Sequence, residues 1–468
     1  MKRKKTLYLI LSGLLLIGLV NCSPATTPET TPIIQESPIQ EEVPTQPKET
    51  SDQSAMTEEP KASETPSASG GLTDEPVTLV FWWEGAAVGN LEIFQKSFER
   101  FQELHPNVTI EVSAIPFEDM LRTFPLALDA GTGPDISMSL PLESTTFPAA
   151  NAGHLLELSQ IAEERGWLEK YDTKALEVNN RGLGGIYGFP YEWTAVGVYY
   201  NKEIFNQLGL EPPESFEEFE QQLATIKETG LTPISVGARD GWPLDHVWQQ
   251  LVHTNVDYSV LRALEDKDPT ASYEDPALIE AAEKVLEWTQ KGYLDPNMLS
   301  TSFVDANNLF INGEVAMNVG GTWVQSDFRE APFEVGFFPM PAMKPELEPH
   351  MGGFTPANDI VIIKESKNRD WAIELLDYLL SEENMTFWWQ SGLLVPYRFD
   401  PLPSGKDQLQ ADIYNAMQVN GPGHFITVSA PETSRVLWAN LQEIVAGSMT
   451  PEEAFAGVQA AYLKEVQP

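Results

Sequence analysis

Strand and helix signals alternate from Val77 onward, and that alternation restricts the chain to a small set of folds. Val77-Thr78-Leu79-Val80-Phe81 reads as a strand that runs into Trp82-Trp83-Glu84-Gly85. A helix opened by Asn90 follows, with Phe94, Phe98 and Phe101 on one face, and His105-Pro106 stops it. Val108, Ile110 and Val112 then alternate as a second strand. A β-α-β unit of this kind sets two strands parallel under a covering helix, so an α/β architecture with a parallel sheet is expected. A second helix carries Leu121, Phe124 and Leu128 on one face, with Pro125 expected to kink it. Gly133-Pro134-Asp135 leads into a further strand at Ile136.

The pattern continues to the C-terminus. The stretches from Gly184 to Tyr191 and from Val196 to Tyr200 read as short strands joined by Glu192-Trp193-Thr194, and Asn201-Lys202 opens a helix. Ser215 with Glu218 predicts a capping box ahead of Phe216, Phe219, Leu223 and Ile226. Thr232 to Val236 reads as a strand, and Trp242 begins another helix. Asp275-Pro276 and Gly292 bracket a helix as its start and stop. Val335 to Phe338 and Ile360 to Ile363 fit buried strands, Arg369 to Leu380 an amphipathic helix, and the tail from Ala411 is mostly helical, with a capping box at Thr450 and Glu453.

The run from Phe310 to Gln325, FINGEVAMNVGGTWVQ, is the richest in site chemistry. Asn307 to Ile311 reads as a helix end, Asn312-Gly313 as its stop, and Val315, Met317 and Val319 as a strand delivering Gly320-Gly321-Thr322-Trp323 at its end. Ligands of α/β sheets sit at strand ends. Two glycines admit close backbone approach, and an indole offers a flat apolar face with one N–H donor.

Composition removes several functions. With 69 acids against 29 bases the formal charge is −40, which repels phosphate backbones and anionic membrane surfaces, so no nucleic-acid partner is expected. The six histidines are scattered, and His246 and His253 lack further ligands, so no metal is expected. No phosphate-cradling glycine loop or serine elbow occurs, and neither a cofactor nor a catalytic residue is expected. The enzyme alternative is a cell-surface glycoside hydrolase, which needs two carboxylates facing each other across a sugar site.

The N-terminal region has a different composition. MKRKK precedes an apolar run from Leu7 to Val20, too short for a membrane span of about 20 residues but of signal-peptide length. Cys22, the only cysteine, follows it and has no partner within the chain for a disulfide. This start resembles a bacterial lipoprotein signal, with Asn21 where that pattern has Gly, Ala or Ser. The resemblance implies a signal peptide at 1–21 and a lipid on Cys22. Residues 22–76, rich in Thr, Pro, Glu and Ser and devoid of aromatics, then read as a disordered tether. The expected location is the outer face of the cytoplasmic membrane, lipid-anchored.

Taken in order, six stretches resemble the carbohydrate-binding extracellular solute-binding proteins of ABC transporters, the family that includes the maltose-binding protein. They are Ala130 to Ile136 (AGTGPDI), Asn151 to Leu158 (NAGHLLEL), Gly184 to Phe205, the FINGEVAMNVGGTW run, Lys364 to Ser381, and the Trp-rich end of the first strand. The likeness spans Val77 to Val466. It implies two α/β lobes around a ligand cleft with three inter-lobe crossings, lobe one comprising 77–192 and 334–382 and lobe two 193–333 and 383–468. It implies a monomer that binds a carbohydrate, expected to be a neutral mono- or oligosaccharide, and delivers it to the permease subunits. Trp323, shortly after the double glycine, matches the family's sugar-stacking aromatic. Trp83, Glu84, Phe117, Ser139, Glu143, Tyr191, Trp193 and Trp242 are the further ligand contacts carried over. Trp82 and Trp83 point to opposite faces if the strand continues, so only one of them can face the cleft. A polysaccharide-binding lipoprotein without a transport role is the remaining alternative.

Overall fold

The structure, a computed structural model, describes residues 72, 74–84, 88–140, 145–347, 350–423, 426 and 430–467. The expected signal peptide, Cys22, nearly all of the tether, and Glu143 lie outside them.

In chain order the strands are β1 (Val77–Glu84), β2 (Val108–Ile115), β3 (Ile136–Ser139), β4 (Gly188–Pro190), β5 (Trp193–Thr194), β6 (Val196–Asn201), β7 (Thr232–Ser235), β8 (Val315–Gly321), β9 (Val335–Phe338), β10 (His350–Gly352), β11 (Thr355–Pro356), β12 (Asp359–Ile362) and β13 (Gly421–Gly423). They build two principal sheets. The first has the order β2-β1-β3-β12-β4 and the second β7-β8-β6-β9. As the β-α-β pattern predicts, β1 and β2 are parallel, in register from Val77 opposite Val108 to Glu84 opposite Ile115. β12 runs antiparallel between β3 and β4. In the second sheet β7 and β8 are parallel, and β6 runs antiparallel to β8 and β9. The chain leaves the first sheet after β4 through β5 and returns through β11, and these two passing strands pair antiparallel, Thr194 opposite Thr355.

Alternation along β1 explains its burial. Leu79, Phe81 and Trp83 are fully buried against the helix Val88–Leu104, which presents Phe94, Phe98 and Phe101, while Trp82 faces the other side against Phe124. Each such side chain contributes about 1.5–3 kcal/mol through burial. The helix Phe303–Ile311 starts at Ser302, whose Oγ accepts from the Asp305 N–H at 3.0 Å. It ends at Asn312, and Gly313 at φ +72° turns the chain into β8 as expected. At the C-terminus, Pro431–Ala446 and Pro451–Val466 pack on each other and on the helices Trp242–His253 and Pro276–Lys291.

Several expectations are corrected. β9, expected within lobe one, extends the second sheet by pairing with β6, so the return to the first sheet comes after Phe338. The helix Glu382–Ser391, expected in lobe two, packs on the first sheet's helix, where the Trp388 indole N–H donates to Ser97 Oγ at 2.9 Å. Helix Phe117–Asp129 runs through Pro125, which lies on its exposed side, where water can serve the carbonyl that loses its partner. The capping box at Thr450 and Glu453 is complete. At Ser215 only one half forms, because Glu218 Oε2 accepts from the Glu214 N–H instead.

Candidate functional site

The polypeptide leaves the C-terminal ends of β1, β2, β7 and β8 at the residues that matter. β2 hands on through Pro116 to Phe117, the first residue of its helix. In the second sheet β7 leads by way of Gly237 to Trp242, and β8 ends at Gly321, two residues before Trp323. Gly321 is required by contact: a Cβ there would lie 2.2 Å from the Trp323 ring. The indole therefore folds back over its own strand end, and the double glycine makes the seat.

Phe117 and Trp242 meet with ring centroids 6.1 Å apart, joining an element of the first sheet to one of the second. Trp242 lies 4.9 Å from His246, one turn further along the same helix, and His246 lies 5.4 Å from Trp323. Phe303 backs Trp242 at 4.5 Å. The outcome is a line of rings, Phe117, Trp242, His246 and Trp323, in which every ring except the imidazole is only partly buried. Burial pushes His246 down to about 3, so its imidazole is neutral, with one donor and one acceptor nitrogen. The sequence reading weighed His246 only as a metal ligand. Its spacing of four from Trp242 on a helix was the signal that could have found it.

Other expected contacts lie elsewhere. Trp83 and Tyr191 belong to the core: Phe94 packs edge-on against both, at 4.8 and 5.3 Å, because the odd positions of β1 face the covered side of the sheet. The half-buried Trp82 occupies the opposite face, 6.3 Å from Phe124. Ser139 is buried and its hydroxyl is engaged, bonding Thr145 Oγ1 at 2.8 Å and accepting from Thr146 Oγ1 at 3.0 Å. Thr146 also reaches Asp359, which accepts from Asn179 at 2.9 Å and is pushed up to about 7 by burial. Ser139 thus completes a buried network rather than presenting a free hydroxyl. Glu84 is buried at the end of β1, near enough to Tyr191 to help hold that phenol neutral, after burial and Glu192. Trp193 lies on the passing strand β5, edge-on to Phe354 at 5.7 Å and outside the ring line.

Among the described residues no group of three or more His, Cys, Asp and Glu is gathered to hold a metal ion. A groove of about 540 Å³ opens beside Thr232, Asn308 and Val315, at the opposite ends of β7 and β8, and no aromatic side chain lines it.

Residues 88–386 match the family of bacterial extracellular solute-binding proteins. The chain belongs to that family. Its members bind solutes rather than transform them. An ABC transporter extracellular-binding protein of Pyrococcus horikoshii is 28% identical over 317 residues, covering 66% of this chain and 70% of that protein. The multiple sugar-binding protein of Streptococcus mutans is 23% identical over 260 residues, 53% of this chain and 59% of that one. Among solved structures, a chitin oligosaccharide binding protein superposes with a TM-score of 0.75 at 21% identity, over 84% of this chain and all of that one, and so shares the two-lobe fold. No helix among the described residues is long and apolar enough to cross a membrane.

Proposed function

We propose that this solute-binding protein captures a neutral carbohydrate, a mono- or oligosaccharide, between its lobes and delivers it to the permease of an ABC importer. The observation that carries the reading is the ring line from Phe117 through Trp242 and His246 to Trp323. Sugar rings present C–H faces that pack on indole, and their hydroxyls need donors and acceptors around the rim of such a platform. Trp82, Glu84 and Trp193 are proposed as flanking contacts. The names of two relatives support the sugar: one binds multiple sugars, another chitin oligosaccharides. A ligand touching Phe117 and Trp242 together favours the closed state by its differential affinity for it.

A calorimetric screen of mono- and oligosaccharides tests this, with recovery of the sugar afterwards. Micromolar binding with the sugar returned intact is expected; a cleaved sugar moves the protein to the hydrolases. The protein is further proposed to act as a monomer held to the outer face of the membrane by lipid on Cys22. Wild type should fractionate with membranes and Cys22→Ala should not, so equal partitioning of the two would remove the anchor.

A further inference from the structure

Trp323 is carried by a short helical stretch, Thr322–Val324 followed by Gln325–Phe328, that leaves the end of β8. Within its own lobe this stretch is fastened at both ends. The Thr322 N–H donates to the Ala195 carbonyl at 3.0 Å, and the buried Phe328 packs on Tyr199 and Phe310 with ring centroids 4.9 and 4.7 Å away. Ser326 and Asp327 follow Trp323 by three and four residues, so they neighbour it one turn further on.

That turn is engaged from the other lobe. The helix Val88–Leu104, which follows β1, has no acidic residue in its own first turn. Its Gly89 N–H donates to Asp327 Oδ1 at 3.0 Å, so a carboxylate from the second lobe faces the positive end of a first-lobe helix. Beside it the fully buried Asn90 accepts from Ser326 Oγ at 3.0 Å and donates through Nδ2 to Glu192 Oε1 at 3.2 Å. Glu192 lies between β4 and β5, where the chain passes from the first sheet to the second, so one carboxamide ties the turn after Trp323 to that passage. The close approach depends on Gly89. A Cβ there would lie 2.4 Å from Ser326 Cβ and 2.8 Å from Asp327 Oδ1, and Ser326 Cβ is bonded to backbone and cannot swing aside as a long side chain would.

We propose that Gly89, Asn90 and Asp327 are positioning residues for Trp323: the first lobe grips the turn that follows the indole and so sets where the indole stands. Gly321 supplies the seat under the ring, and the Gly89–Asp327 and Asn90–Ser326 bonds keep the turn beyond it from rotating. The coupling runs both ways. A first lobe that swings away releases the turn and the indole with it, and a ligand stacked on Trp323 bears on the start of a first-lobe helix that it need not touch. The stacking platform is therefore complete only in the arrangement of the lobes in which these bonds are made.

The use of Trp323 as a platform rests on the carbohydrate reading, but the grip is measured without sugar, so its failure and a failure to find a sugar are separate results. With 5-fluorotryptophan at the twelve tryptophan positions, the Trp323 fluorine resonance is identified by its loss in Trp323→Phe. Asp327→Ala should shift and broaden that resonance with the unfolding midpoint almost unmoved, since Asp327 is only partly buried. Asp327→Asn should return it to the wild-type position, because the amide oxygen still accepts from the Gly89 N–H. Gly89→Ala should reproduce the shift with Asp327 intact. A resonance that stays in place in Asp327→Ala, or moves as far in Asp327→Asn as in Asp327→Ala, overturns the proposal. Should Gly89→Ala fail to fold, the two Asp327 variants decide.

Discussion

Two aromatic groups, each built on tryptophan and phenylalanine, behave in opposite ways. Trp83, Phe94, Tyr191 and Trp388 are closed on themselves in the first lobe, with Phe94 within 4.8 Å of Trp83 and 4.4 Å of Trp388. Phe117, Trp242 and Trp323 also have ring neighbours, at 4.9 to 6.1 Å along the line, yet each is only partly buried, and the ring enclosed among them is the polar His246. The difference lies in placement, not residue type. Rings within a strand or on a covering helix are capped by the next layer, whereas rings set beyond a strand end have no layer over them. Enclosure of this kind gives stability, and an open face gives a place for something else to stack.

The largest effect expected is from breaking the closed group. Phe94→Ala should lose about 3–5 kcal/mol of folding stability in chemical denaturation, with the affinity of the folded protein changed by less than about twofold. Loss of affinity at unchanged stability would erase the distinction. Trp323→Ala should do the reverse, weakening binding of the identified sugar by about thirtyfold, or ~2 kcal/mol, in calorimetry, with the unfolding midpoint almost unmoved. An unchanged dissociation constant returns Trp323 to the core.

Gly321→Ala sharpens the contrast because it leaves the indole in place chemically but removes its seat. A Cβ there must displace the ring, and about a tenfold loss of affinity is expected, with Trp323 fluorescence shifted. The smallest effect concerns His246. Its depressed pKa makes stability full above about 6.5 and eroded as pH falls toward about 3, by under about 1 kcal/mol near pH 6. His246→Phe should flatten that part of the stability profile. Sugar affinity of the wild type should be level from pH 6 to 8, and a transition near 6.5 would mean that the imidazole titrates normally in the cleft.

Much of the fold was legible because its signals are local. Asn312 and Gly313 stop their helix, Asp275 and Gly292 bound theirs, and Leu79 and Phe81 alternate as a half-covered strand requires. The resemblance to solute-binding proteins was likewise carried by short runs in a fixed order. What failed was non-local. Val335 to Phe338 announces a buried strand without saying which sheet it joins, and its partner β6 is fixed only when the chain has folded. The alternation of Trp82 and Trp83 was plain, but its phase depends on which face the helix Val88–Leu104 covers. Ser139 is polar at a strand end, as a ligand contact would be, and only the arrival of Thr145 and Thr146 commits its hydroxyl. His246 could be tied to Trp242 by spacing but to Trp323 only by tertiary structure.

The position of β12 has a consequence for biogenesis. It lies inside the first sheet, between β3 and β4, yet comes from Asp359–Ile362, long after β1 to β4. Until that segment leaves the ribosome, β3 and β4 have no strand between them, and the early half of the chain cannot bury its central hydrogen-bonding edges. Such long-range pairing makes folding slow and late relative to synthesis. A chain that holds its first lobe open until near the end of translation remains threadable for that time, and its own topology acts as the timer.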